Sequence, residues 1–238
     1  MDNTSIPVDK IMLTGNIDML MLYADGEHTD WLPLIDKIKP KHLFGTIADM
    51  SAALSTRSFE SICVAVHEKT IADVQTFLEG PHTHIGFEFF EPTDPSNLFD
   101  IIIRRNVVKK IRLSGALTTE PTILIEKCES LRSLQFQLSQ VMNVDRLIKA
   151  FHKNDRLERV NVLAGWNPST NKVIMELASG KIQQLALTHA QLSDEALRKI
   201  IDSEHIKRVY FEKVECNETL LEELKACKEY SLLNELSF

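Results

Sequence analysis

Two histidines one residue apart, His82 and His84, have a spacing that can hold a metal ion. In a β-strand, side chains two positions apart point to the same face, so both imidazoles could bind one ion. Cys63 falls in the adjacent predicted strand, but no third ligand lies near the pair in the right phase. We therefore predict two surface histidines and no bound metal. A metal-binding or enzyme site at His82, His84 and Cys63 is the alternative.

Sequence patterns that accompany common catalytic chemistry do not occur in the chain. There is no GxGxxG, GxxxxGK[ST], HExxH or GxSxG pattern, and only 8 of 238 residues are glycine. Paired carboxylates such as Asp194 and Glu195 fall in predicted first helical turns, where they complement the helix dipole. His189 follows a predicted strand and is interpreted as a rim residue, not a general base. The sequence predicts a protein that is not an enzyme and has no cofactor.

Composition narrows the classes of partner. The formal net charge is −7 and the pI is near 5.6, which argues against a general nucleic-acid binder with a basic surface. No apolar run approaches the roughly 18 residues of a membrane span, and the N-terminus lacks a signal-peptide pattern. The four cysteines form no CxxC pair and are predicted to be reduced thiols. We predict a cytoplasmic or nuclear protein with no nucleic-acid and no membrane partner.

One phrase, apolar-x-x-apolar-x-apolar, recurs along the chain. Its central residues are separated by 23, 26, 25, 24 and 27 residues, and they are Ile111, Leu134, Val160, Leu185, Val209 and Leu236. Upstream copies centre on Ile62 and Ile85, and IDMLML begins an early copy at Ile17. HLFGTI, from His42, is predicted to be a strand, but the phase of the repeat between residues 23 and 58 stays open. Such self-similarity indicates a repeat architecture.

A helix signal lies between successive copies of the phrase. Ser193 is a candidate N-cap, and Leu197, Ile200 and Ile201 follow as one apolar stripe. Asn217 precedes a similar segment. Each unit is thus predicted to be a strand, a turn and a helix, which makes successive strands parallel. We predict one domain over residues 1–238, with an irregular N-terminal cap and early repeats in 1–58 and regular repeats in 59–238. A hairpin around Thr14-Gly15-Asn16 is expected to close the N-terminal end.

The LxxLxL phrase at this period resembles the leucine-rich repeat family, and IQQLALTHAQLSDEALRKI is its closest copy. The unit length is similar to that of the ribonuclease-inhibitor-like and cysteine-containing, F-box-associated branches. The resemblance implies an α/β solenoid with a curved parallel sheet on the concave side and helices on the convex side. It also implies protein–protein interaction, with an adaptor or substrate-receptor role in a ubiquitin-ligase-like assembly. Whether Trp31 to Leu43 belongs to a degenerate F-box stays open.

The position that is often Asn or Cys in that family departs from the pattern. It is occupied by Ala116, Ser139, Gly165, Ala190 and Val214. These side chains cannot form an asparagine ladder, so the bends must satisfy their backbone groups in another way.

Candidate partner-binding residues follow from the alternation within each strand. Residues between the core positions point to the concave side, where cations, amides and a tyrosine suit recognition of a polar protein surface. Trp166, in AGWNPST, is either a binding residue of that rim or a cover for the repeat core. A solvated face without a specific partner is the competing interpretation. The predicted set is Lys110, Arg112, Gln135, Gln137, Asn161, Leu163, Trp166, Thr188, Arg208, Tyr210 and Glu212.

Overall fold

The computed structural model describes residues 18–22, 32–45, 57, 59–66 and 71–232. Within these residues ten strands form a single parallel sheet whose strand order equals the order along the chain. The strands are β1 (Met19–Leu22), β2 (His42–Gly45), β3 (Ser61–Val66), β4 (His84–Thr93), β5 (Lys110–Leu117), β6 (Ser133–Gln137), β7 (Arg159–Leu163), β8 (Gln184–Gln191), β9 (Arg208–Glu215) and β10 (Glu229–Leu232).

Eight α-helices are present among the same residues, so the α/β class is confirmed. From the second helix onward, each helix contacts the next one along the chain. None of the helices in the described ranges is long and apolar enough to cross a bilayer. The helices are α1 (Leu32–Ile38), α2 (Ile71–Leu78), α3 (Ser96–Arg105), α4 (Thr122–Lys127), α5 (Val144–Lys153), α6 (Thr170–Ser179), α7 (Asp194–Asp202) and α8 (Glu218–Cys227), and a 3-10 turn covers Leu138–Gln140.

Register in the sheet follows the predicted phrase. The central residues of β3 to β9 lie side by side across the sheet, and all are buried. The phase of the repeat in β1 and β2 is also established, because Leu43 pairs with Leu20 on one side and with Ile62 on the other. HLFGTI therefore contributes a strand, as predicted. Strand and helix side chains form one buried cluster, in which Leu185, Leu197 and Ile200 are fully enclosed.

Helix starts follow the predicted caps. The Ser193 hydroxyl accepts a hydrogen bond from the Ala196 N–H, and the Asn217 side chain accepts from the N–H groups of Thr219 and Leu220. These contacts satisfy donors that the first helical turn leaves without a helical partner. Each cap thus sets the point at which a connection ends and a helix begins to cover the sheet.

Bends after the strands are held without an asparagine ladder, as expected. Backbone bonds between neighbouring units replace it: the Ala164 N–H donates to the Thr188 carbonyl at 2.9 Å, and the Leu192 N–H donates to the Glu215 carbonyl at 2.9 Å. Between β5 and the turn after β6, the Gln140 amide donates to the Gly115 carbonyl at 2.7 Å. At these bends, main-chain hydrogen bonds and the Gln140 side chain take the place of an asparagine ladder.

The last strand differs from the prediction. The strand beside β9 is β10, in which Tyr230 pairs with Val209, only 21 residues along the chain instead of the predicted 27. The reason is local: α8 ends at Cys227, and extended backbone at Lys228 starts the strand at once. The predicted copy from Leu233 and the predicted N-terminal hairpin both lie outside the described residues.

Candidate functional site: the open face of the sheet

One face of the sheet bears side chains that point away from the helices, and we call it the open face. It consists of two main rows, each crossing all ten strands in register. The first row is Met19, His42, Ser61, His84, Lys110, Ser133, Arg159, Gln184, Arg208 and Glu229. The second row is Met21, Phe44, Cys63, Gly86, Arg112, Gln135, Asn161, Ala186, Tyr210 and Ser231.

Most of the predicted binding residues lie on this face. Arg112, Gln135 and Asn161 are direct neighbours across β5, β6 and β7, and Tyr210 lies two strands further on. A shorter third row, towards the ends of the strands, holds Gln137, Leu163, Thr188 and Glu212. Residues far apart in sequence are therefore brought together by the parallel register.

The centre of the face is more enclosed than predicted. Gln135 and Asn161 are each only 8% exposed, and Thr188 is buried as well. Strands lie about 4.8 Å apart, so side chains of neighbouring strands cover one another. The Asn161 amide nitrogen donates to the Gln135 side-chain oxygen at 2.9 Å. These three residues lie on the face to which the alternation assigned them, but there they are enclosed.

Two polar atoms in this enclosed centre stand out. The Asn161 side-chain oxygen and the Thr188 hydroxyl are buried and form no hydrogen bond with any residue in the described part of the chain. A buried polar group without a partner costs about 1–3 kcal/mol. These two groups therefore lower the stability of the enclosed centre of the face by an amount of this order.

Cations cluster on the first two rows. Lys110 and Arg112 lie on β5, and Arg159 lies two strands away. Burial lowers the pKa of Lys110, and the nearby Arg159 and Arg112 lower it further. Arg159 donates to the Gln184 side-chain oxygen at 2.6 Å, and its guanidinium carbon lies 5.9 Å from the centre of the Tyr210 ring. This part of the face favours negative charge, although the whole chain is acidic.

At the far end of the sheet the charges alternate. Arg208 pairs with Glu229 across β9 and β10 at 2.7 Å, and both side chains are exposed. Glu212 follows on the third row of β9. An exposed pair of this kind contributes little to stability, between about 0 and 1 kcal/mol. These residues can therefore exchange their contacts for those of a partner at small cost.

A cavity of about 410 Å³ opens on the first five strands. We call it the β1–β5 cavity. Its apolar wall is formed by Met19, Met21 and Phe44, and Cys63 and Gly86 lie between this wall and β5. Lys110, Arg112, His42 and His84 complete the lining. The sequence analysis did not single out the two methionines, and the outward position of Phe44 could be assigned only once the phase of β2 was known.

Trp166 lies beyond the two rows, in the connection between β7 and α6. Its side chain is 49% exposed, so it does not serve as a buried cover of the core. The backbone at Trp166 has a φ of 60°, and its N–H donates to the His189 carbonyl at 2.8 Å. The loop is thus fastened to the next unit while the indole faces outward at the edge of the sheet.

The predicted pair of surface histidines is corrected. His82 precedes β4 and is 3% exposed, and its ring stacks on Phe77 with 4.2 Å between ring centres. Of these two histidines, only His84 lies on the open face. Burial and the nearby lysines Lys110 and Lys109 lower its pKa. Among the described residues, no group of three His, Cys, Asp or Glu side chains could hold a metal ion.

Cys63 occupies an unsuitable environment for a nucleophile or a metal ligand. Burial raises its pKa to about 12, with Arg112 lowering and Glu88 raising it by smaller amounts. The thiolate is the reactive and ligating form, so Cys63 is protonated at neutral pH. The alternative of an enzyme or metal site on these rows gains no support from the geometry.

The four thiols should differ in their rates of alkylation. Cys227 is exposed and should react first, whereas Cys128 is buried and should react only when the chain opens. Cys63 should be slow because of its raised pKa. Mass spectrometry of iodoacetamide-labelled peptides over time gives the order. Equal rates for Cys128 and Cys227 would contradict the packing of Cys128, and a mass increase on reduction of the intact chain would reveal a disulfide.

No protein-family model fits the chain, and no curated protein is significantly similar to it in sequence.

Proposed function

We propose that this chain is a protein-recognition module of the leucine-rich-repeat type, an α/β solenoid that binds a protein partner on the concave side of its sheet. The open face is that concave side in this proposal. Sequential strand order, units of near-constant length and helices that each contact the next all support it. The regular phrase in the sequence supports the same architecture.

The observation that carries the function is the uninterrupted pair of rows across ten strands. Five neighbouring strands alone span about 20 Å at the usual strand spacing. That width is suited to one side of a standard protein interface. Tyrosine and arginine, the side chains most often dominant in binding, occur there as Tyr210, Arg112, Arg159 and Arg208.

The chemistry of the face favours protein over nucleic acid as the partner. Glu88, Glu212 and Glu229 are interspersed with the cations, whereas a nucleic-acid site needs a continuous basic surface. The net charge of −7 opposes long-range attraction of a polyanion. Within the class of recognition proteins, an adaptor or substrate receptor of a ubiquitin-ligase-like assembly in the cytoplasm or nucleus is our proposal, by analogy of sequence pattern.

Exchanging two opposite charges on β9 tests this function. Arg208→Glu combined with Glu212→Lys keeps the net charge but reverses the local pattern on the open face. We expect a stability change of no more than about 1 kcal/mol, since Arg208 is exposed and Glu212 is only half-buried. We also expect the loss of proteins that the unaltered chain captures from native extract, as quantified by mass spectrometry.

A matched control lies on the helical side. Lys199→Glu combined with Glu195→Lys reverses two exposed charges on α7 and also keeps the net charge. This variant should retain every partner. If it loses partners while the β9 variant keeps them, recognition occurs on the helices and the proposed function of the open face is wrong. If the unaltered chain captures nothing specific, a structural role without a partner is the better account.

A further inference from the structure

The β1–β5 cavity is apolar on one side and positively charged on the other. Its volume of about 410 Å³ lies within the range of about 300–1,000 Å³ that ligand pockets occupy. Met19 and Met21 on β1 are 46% and 53% exposed, which is unusual for two apolar side chains on one short strand. Methionine is flexible and polarisable, so a methionine wall adapts to apolar groups of different shape.

Gly86 lies in the middle of the cavity lining. It is on the second row between Cys63 and Arg112, both of which carry side chains. A Cβ atom at this position would lie 2.7 Å from the Cys63 sulfur, closer than such atoms approach. Its φ lies outside the left-handed region, so the backbone does not demand glycine here. The Cys63 side chain therefore occupies the space that a side chain at position 86 would need.

The opposite side of the cavity is cationic. Lys110 and Arg112 line it, and Arg159 is close enough to Lys110 to disfavour its charged form. A carboxylate at this point would offset the mutual repulsion of the three cations. The cavity thus combines an apolar wall on β1 and β2 with a positive side on β5, separated by the width of two strands.

We propose that the β1–β5 cavity binds an extended peptide segment of the partner protein, with an apolar side chain against Met19, Met21 and Phe44 and a neighbouring carboxylate at Lys110 and Arg112. This inference rests on the proposed function and specifies its partner: an acidic peptide with one apolar anchor. The charge complementarity selects acidic sequences, and the wall selects those with a large apolar residue.

Capped, fluorescent octapeptides measure this preference on the unaltered chain, without any need for a variant to fold. One series has phenylalanine, leucine or alanine at the centre between glutamates, and a second has phenylalanine between lysines. Fluorescence polarisation should show that the phenylalanine and leucine peptides with glutamates bind at least about tenfold more tightly than the alanine peptide, since an apolar side chain is buried. The lysine-flanked peptide should bind more weakly still, because its charge is repelled.

Variants locate the binding. Met21→Glu places a carboxylate on the apolar wall and should weaken binding of the phenylalanine–glutamate peptide by about tenfold or more, because it removes apolar burial and repels the glutamates. Met142→Glu is the matched control, since Met142 is 80% exposed and lies outside the open face. It should leave peptide affinity unchanged. A thermal melt of both variants verifies their folding.

Combining the peptide and capture measurements separates the inference from the proposed function. If no peptide shows the preference while the β9 charge exchange still abolishes partner capture, the inference is overturned and the proposed function stands. If the unaltered chain binds decanoate, the Met21→Glu variant does not, and the peptides show no preference, then the cavity binds a fatty-acid anion. The inference is again overturned in that case. If peptides bind with the expected preference while the β9 exchange leaves capture unaltered, the cavity is a peptide site and the wider interface is wrong.

Discussion

Leu185→Ala should lower the free energy of unfolding by about 2–5 kcal/mol, the range for removing a core leucine side chain. Leu185 is completely buried in β8, between Val160 of β7 and Val209 of β9. The units on both sides pack against it, so the remaining cavity cannot be filled by a small movement of one element. A urea or guanidinium melt followed by circular dichroism gives the change in free energy.

The control for this substitution is Met142→Ala, at a side chain that is mostly in solvent. It should change stability by no more than about 0.5 kcal/mol. A loss of only a few tenths of a kcal/mol for Leu185→Ala would mean that the core row of β8 is shifted from the register described above.

Gly115→Ala should cost about 2–5 kcal/mol, for two reasons that add. The backbone at Gly115 has a φ of +89°, a conformation that costs an L-residue about 1–2 kcal/mol. A Cβ atom there would also lie 1.9 Å from the Phe89 carbonyl oxygen on β4, so the two strands must separate. Such overpacking typically costs a further 1–3 kcal/mol, roughly.

Gly165→Ala separates these two contributions. Gly165 also has a positive φ, of +58°, but a Cβ atom there would meet nothing within 4 Å. It should cost only the backbone term of about 1–2 kcal/mol. Thermal or denaturant melts of both variants give the comparison. Equal losses would show that β4 yields to the new methyl group at no cost and that the close approach of β4 and β5 is not a constraint.

The fold was predictable where alternation and period agree. From β3 to β9 the central apolar residues recur at near-constant intervals. The parallel register follows, because a shift by one residue would move the apolar side chains of a strand from the core face to the open face. At the C-terminal end two phrases occur, around Tyr230 and around Leu236, and it is Tyr230 that pairs with Val209, six residues before the position that the constant interval predicted. The end of α8 decides between them, and helix ends depend on tertiary contacts that periodicity does not contain.

The candidate site was predictable in its placement but not in its shape. Alternation placed Arg112, Gln135 and Asn161 on one face, and the register confirms this. Their enclosure depends on the contacts between neighbouring rows, which no single strand reveals. The β1–β5 cavity depends on how side chains of five strands pack beside one another, which the pattern of one strand does not contain. His82 shows the converse error, because a residue just before a strand need not follow its alternation.

The order of the strands has a consequence for how such a chain can change over generations. No strand in the described sheet skips over a neighbour, so every connection joins two adjacent strands. Duplicating one unit of strand and helix would therefore lengthen the sheet without unpairing any other strand, and deleting one would shorten it in the same way. Added units would therefore enlarge the open face, while the residues already present in its rows would keep the same neighbours on the adjacent strands.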